Sequence, residues 1–150
     1  MKYNAYLLVL CLILTVSCVS TKSTLKNVDP AASLILNKEN AFIITSISSD
    51  PKYGYDKDYP VNVFYQNTKN DSINAIRFFN ALTGPKGEKI FYKKVEICCP
   101  FPSKNSVSGA ALLDVYQVTW VGQARPITLY INRYEKSTLM APQGFALKSF

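Results

Sequence analysis

Histidine does not occur anywhere in this chain of 150 residues. Its absence removes Ser-His-Asp and Cys-His nucleophilic arrangements, the usual nitrogen ligand for metals, and the usual proton carrier near neutral pH. Cysteine is sparse: Cys11, Cys18, Cys98 and Cys99 are the whole set, and two adjacent cysteines without histidine lack the spacing of a zinc knuckle. Long apolar runs are missing too. The longest, residues 5 to 17, holds 13 residues, against roughly 20 for a helix that crosses a membrane. Acidic side chains are few, 10 against 17 basic ones. The lysines are scattered, with only Lys93-Lys94 adjacent, so nucleic-acid binding is disfavoured. Anionic surfaces such as lipid headgroups or acidic polysaccharide suit the charge better. No cofactor and no metal are expected.

The opening of the chain is informative in what it does contain. Met1-Lys2-Tyr3-Asn4 carries one positive side chain, and Ala5 to Leu14 is almost wholly apolar, which is the order of a secretory signal. Leu14-Thr15-Val16-Ser17-Cys18 resembles the bacterial lipobox, in which a small residue precedes the cysteine that receives diacylglycerol; Thr15 departs from the leucine commonest at that place. The resemblance implies cleavage before Cys18, lipidation of its sulfur and a membrane as partner, with several acyl chains holding where a single one holds only marginally. The expected boundaries are a signal peptide over 1–17, lipidated Cys18 with a flexible tether to 37, and a single globular domain over 38–150. The tether rests on Val19-Ser20-Thr21-Lys22-Ser23-Thr24-Leu25-Lys26, rich in hydroxyl and basic groups. Cleavage leaves 133 residues, a length for one domain. Val19 stands where many inner-membrane lipoproteins carry Asp, and no acidic cluster follows Cys18; by those sorting rules the expected address is the periplasmic face of the outer membrane.

Beyond residue 38 the patterning is mostly that of strands. Ala41 to Ile47 and Val61 to Gln66 are short β-rich runs, separated by a polar, tyrosine-rich loop. Asp71 or Ser72 is placed to cap a helix in which Ile73, Ile76, Phe79, Ala81 and Leu82 share a face, opposite Asn74, Arg77 and Asn80. Gly84-Pro85 closes it. Strands are expected over Glu88 to Ile97, Leu112 to Val121 and Ile127 to Tyr134, the last two joined as a hairpin. Pro142 and Gly144 restrict the last stretch, Leu139 to Leu147, to an irregular edge strand. There is no internal repeat. The pattern predicts an α+β domain, a mostly antiparallel sheet with one helix packed on it; if residues 72 to 82 are extended, the alternative is an all-β sandwich or barrel.

Three groups of residues are candidates for chemistry or binding. Cys98 and Cys99 are the only cysteines of the mature domain, in a compartment where thiols commonly pair. Neighbouring Cα atoms lie roughly 3.8 Å apart, short of the roughly 4.4 Å usual for a disulfide. Two reduced thiols on opposite faces of a strand are therefore the first expectation. A vicinal bridge, suited to a redox switch or a rigid ligand platform, is the second. Tyr53, Tyr55 and Tyr59 form a candidate binding surface for sugar or protein, against the plainer reading that tyrosine is favoured in strand packing. Asp50, Asp56 and Asp58 offer hard oxygens for calcium, but in no EF-hand spacing and with Lys52 and Lys57 offsetting their charge.

Tyr53-Gly54-Tyr55-Asp56, Val63-Phe64-Tyr65-Gln66-Asn67, Arg77-Phe78-Phe79-Asn80-Ala81-Leu82, Gly84-Pro85-Lys86-Gly87-Glu88, Cys98-Cys99-Pro100-Phe101 and Leu113-Asp114-Val115-Tyr116 together resemble a group of small lipoproteins from Bacteroidota-type bacteria, over most of residues 40 to 145. Some members carry the label 2-dehydro-3-deoxyphosphooctonate aldolase. That chemistry belongs to a cytoplasmic barrel of about 250 residues, which a 133-residue exported domain cannot build. The resemblance therefore implies a lipoprotein and no catalytic residue. Two functional expectations follow: a non-catalytic envelope module that binds a protein or glycan, and, as the alternative, a small envelope enzyme or redox-sensitive protein working through Cys98 and Cys99.

Overall fold

The structure is a computed structural model and describes residues 23–65, 70 and 72–150. Its centre is the strand pair with the clearest alternation. Tyr116 and Val118 point to the same side as Leu129 and Ile131, because side chains on a strand alternate faces and these residues are in register across an antiparallel pair. The chain runs β1 (Val61–Asn62), α1 (Ile73–Asn80), β2 (Leu82–Thr83), β3 (Ile90–Pro102), β4 (Ala110–Trp120), β5 (Ile127–Asn132) and β6 (Ala146–Leu147). Four strands form one sheet in the order β1-β5-β4-β3, and β2 pairs with β6 in a second, two-stranded one. All pairs are antiparallel except β1 with β5, where Val61 lies beside Ile131. Among the described residues the architecture is α+β, with a mostly antiparallel sheet and one short helix.

The main sheet has two unlike faces. On one, Tyr116, Val118, Leu129 and Ile131 meet Phe78 and Phe79 of α1, with Tyr53, Val61 and Val63 closing the side. Each such fully buried apolar side chain stabilises the fold by roughly 1.5–3 kcal/mol. Tyr92, Phe79 and Tyr116 pack ring on ring, the Phe79 and Tyr92 centroids 4.3 Å apart and nearly parallel. On the other face a smaller cluster gathers at the far end of the β3–β4 hairpin: Phe101, Ala111 and Leu113, covered by Leu25.

Several expectations need correction. The run Ala41 to Ile47 is no strand; it pairs only through isolated bridges, Phe42 with Leu36 and Ile47 with Ala141. The helix ends before Gly84-Pro85, since Leu82-Thr83 leaves it to become β2. It is also rotated from the expected orientation: Asn74, Ala75, Phe78 and Phe79 are buried, whereas Ile73 and Ile76 are half-buried. Asn74 is inside because two backbone carbonyls are there to meet it. Its Nδ2 donates to Val63 O at 3.0 Å and to Phe64 O at 2.7 Å, and its Oδ1 accepts from Arg77. Ser72 occupies the N-cap without a side-chain bond to the helix, and Asp71 lies outside the described residues.

Residues 23–37, expected within the tether, are held against the domain instead. Leu25 and Ala32 are buried, and Leu34 and Leu36 pack on the main core. Lys26 N donates to Asp58 O and Asp29 N to Lys136 O, at 2.9 and 2.8 Å, while Asn62 Nδ2 donates to the carbonyls of Lys26 and Asn27. Average composition concealed this. Apolar side chains at 25, 28, 34 and 36 are spaced among hydroxyl and charged neighbours, so the segment reads as polar while each apolar group still finds a place to be buried.

Candidate functional site

Tyr53, Tyr55 and Tyr59 do not form a common exposed surface. Tyr53 is fully buried in the core, its hydroxyl accepting from Met140 N at 3.3 Å and its ring edge-on to Tyr59. Tyr55 and Tyr59 are half-buried; the Tyr55 hydroxyl donates to Gln143 O, and Lys26 Nζ lies over the Tyr59 ring. These rings fasten the loop and the 23–30 segment to the sheet, which corrects the reading of Tyr53 as a binding residue and leaves only part of Tyr55 and Tyr59 open to solvent. The nearby carboxylates are used in turns: Asp50 Oδ1 accepts from Lys52 N and Asp56 Oδ1 from Asp58 N, and Lys57 Nζ contacts both Asp58 oxygens. Among the described residues no group of His, Cys, Asp or Glu is arranged to hold a metal ion.

Cys98 and Cys99 are joined as a vicinal disulfide, with Cα atoms 3.7 Å apart. This replaces the first expectation, two thiols on opposite faces, and its cause lies in the backbone. The β3–β4 register breaks between Cys98 and Phe101, and Cys99 adopts a φ of 61°. Such a bulge cancels the alternation that would otherwise separate neighbouring side chains. Cys99 then packs against the cluster of Leu25, Phe101, Ala111 and Leu113. Residues 1–17 and Cys18 lie outside the described residues. Among the described ones, no helix is long and apolar enough to cross a membrane.

The same cluster underlies a cleft of about 530 Å³. Among the described residues, Leu25, Val28 and Pro30 give it an apolar wall, and Ser23, Asn27, Lys104 and Glu135 are polar members of its lining. Glu135 is 3% exposed. Its Oε1 accepts from Ser103 Oγ at 2.6 Å and its Oε2 from Asn105 Nδ2 at 3.1 Å. Ser103 Oγ in turn accepts from Asn105 N, and Asn105 Nδ2 also donates to Tyr134 O. The turn between β3 and β4 thus holds both oxygens of a buried carboxylate beside an apolar wall. A second cavity, of about 560 Å³, is lined partly by Phe42, Phe64, Arg77 and Lys136. Its cations are already engaged, Arg77 with Asn40 and Asn74 and Lys136 over the Phe64 ring.

Sequence reasoning missed Glu135 and Asp114. Glu135 sits in Arg133-Tyr134-Glu135-Lys136, which reads as a solvated charge run, and its partners are about thirty residues away along the chain. Asp114, 1% exposed, stands on β4 with Lys94 Nζ 2.8 Å from Oδ1 and Arg133 Nε 3.5 Å from Oδ2. Its only signal was one acidic residue within the apolar run Leu112-Leu113-Asp114-Val115. Set beside known protein families, curated proteins and solved structures, the chain matches none.

Proposed function

We propose that the protein is a lipid-anchored envelope module that binds a partner through the cleft between residues 23–30 and the β3–β4 turn, and that it performs no catalysis. The anchor is Cys18, on the strength of Leu14-Thr15-Val16-Ser17-Cys18. The observation that carries the binding reading is the position of the cleft on the segment that follows the anchor. From Cys18 to Ser23 the chain reaches at most about 18 Å, and Ser23 and Leu25 already line the cleft. A cleft so close to the acyl chains opens near the membrane surface, where a diffusing envelope component meets it in a restricted volume. The proposed address is the periplasmic face of the outer membrane.

Intact-mass analysis of the protein from its native envelope tests the anchor. The expected species begins at Cys18 and carries acyl mass, and Cys18→Ala abolishes both changes; an unmodified thiol or a retained leader overturns it. Affinity capture from the same envelope tests the binding role, which fails if nothing copurifies reproducibly.

A second reading, thiol–disulfide chemistry at Cys98 and Cys99, is supported by their bonded sulfurs. Replacing both with Ser decides it: a fold and cellular phenotype like those of the parent eliminate the thiol reading.

A further inference from the structure

We infer that the cleft takes a small ligand in which a primary ammonium group is attached to an apolar body, with the ammonium on Glu135 and the body against Leu25, Val28 and Pro30. This rests on reading the cleft as the protein's binding site and adds the chemical class of what enters.

Glu135 is buried with neutral partners only. Its hydrogen-bond donors, Ser103 Oγ and Asn105 Nδ2, are both neutral. Among the described residues no lysine or arginine forms an ion pair with it. The basic side chains flanking it in sequence are turned elsewhere: Arg133 faces Asp114, and Lys136 lies over the Phe64 ring. The carboxylate therefore has hydrogen bonds but no cation within ion-pairing distance among the described residues, and a cation is the partner that best suits a buried carboxylate. A carboxylate has about four lone-pair positions, of which the two bonds occupy two. An ammonium has three donors and a full positive charge, and supplies what the site lacks.

Geometry agrees with this chemistry. Ser103 is fully buried, and the network through Asn105 to Tyr134 O holds the carboxylate in place before anything binds. Holding the recognising group fixed lowers the ordering cost of association. The cleft, at about 530 Å³, falls within the roughly 300–1,000 Å³ of small-molecule sites, which pair apolar walls with a few placed polar groups. Lys104, on the same lining, opposes entry of a ligand whose far end is also cationic.

The test uses the full-length protein and three probes that share one apolar body: benzylamine, benzyl alcohol and phenylacetate. Methyl resonances of Leu25 and Val28 are followed by NMR. Benzylamine is expected to shift them saturably, with benzyl alcohol weaker by about tenfold, the scale of a charge-assisted hydrogen bond, and phenylacetate weaker still. Glu135→Gln should bring benzylamine down to the level of the alcohol and leave the alcohol unchanged. Val28→Trp, which fills the cleft, should abolish binding of all three. If Glu135→Gln does not fold, the ranking of the probes on the native protein and the Val28→Trp variant still decide. Equal binding of amine and alcohol overturns the ammonium assignment and leaves the cleft reading standing. Tightest binding of phenylacetate overturns it in favour of Lys104. No saturable shift with any probe removes the cleft reading as well.

Discussion

Gly54 shows how closely a single position is constrained. It has a φ of 80°, and a Cβ there would lie 3.1 Å from Pro142 Cγ and 3.2 Å from Val61 Cγ2. Gly54→Ala therefore combines left-handed strain with overpacking and should cost about 2–4 kcal/mol, read as a lowered urea midpoint. Asn74→Leu removes the donor shared by Val63 O and Phe64 O. Leaving buried carbonyls without a partner should cost about 1–3 kcal/mol, measured in the same titration; an unchanged midpoint would show that water reaches them. Tyr116 makes the protein sensitive to alkali. Burial, and secondarily the charge of Asp114, pushes its hydroxyl up from 10.0 to about 12. Because the folded pKa lies above the unfolded one, the stabilisation is complete below about pH 10 and is lost as pH rises to about 12. The unfolding free energy should fall by about 2–3 kcal/mol across that window, and Tyr116→Phe should flatten part of the decline. Burial pushes Tyr53 up as well, so some of the slope should survive in the variant.

At the level of elements, what could be read in advance depended on how regular the pattern was. Ile127, Leu129 and Ile131 alternate without interruption, and β5 lies where that alternation places it. Periodicity shows helix α1 but not its buried face, because the apolar residues outnumber one face and Asn74 is drawn inward by carbonyls of a separate segment. The strand pattern of β3 is legible only to Ile97; the bulge that brings Cys98 and Cys99 together is a property of its pairing with β4 and leaves no mark in composition. The 23–30 segment is the element most open to test. Leu25 is its buried anchor in the small cluster, separate from the main core. Leu25→Ala should release the segment locally, at about 2–3 kcal/mol, and speed tryptic cleavage after Lys26 with little change in the melting of the rest. A matching fall in global melting would show instead that the segment folds as one unit with the sheet.

For the whole molecule, the two clusters lie on opposite faces of the same strands, since β4 supplies Tyr116 and Val118 to one and Ala111 and Leu113 to the other. Sharing a strand should couple them into one transition. Fluorescence of Trp120, the chain's single tryptophan, packed against Phe145, and far-UV circular dichroism should give coincident urea curves; separated midpoints would mean two folding units. The sequence alone was enough to determine the α+β class, the central hairpin and the edge position of the last strand, because strand alternation, helix periodicity and Pro and Gly restrictions act over a few neighbouring residues. The proposed anchor likewise rests on a linear signal, Leu14-Thr15-Val16-Ser17-Cys18. The tertiary structure alone decided that residues 23–37 belong to the folded body, that Cys98 and Cys99 share a side, and that Glu135 lies buried at a cleft. Each of these depends on partners tens of residues apart, and burial is settled by what arrives from elsewhere in the chain.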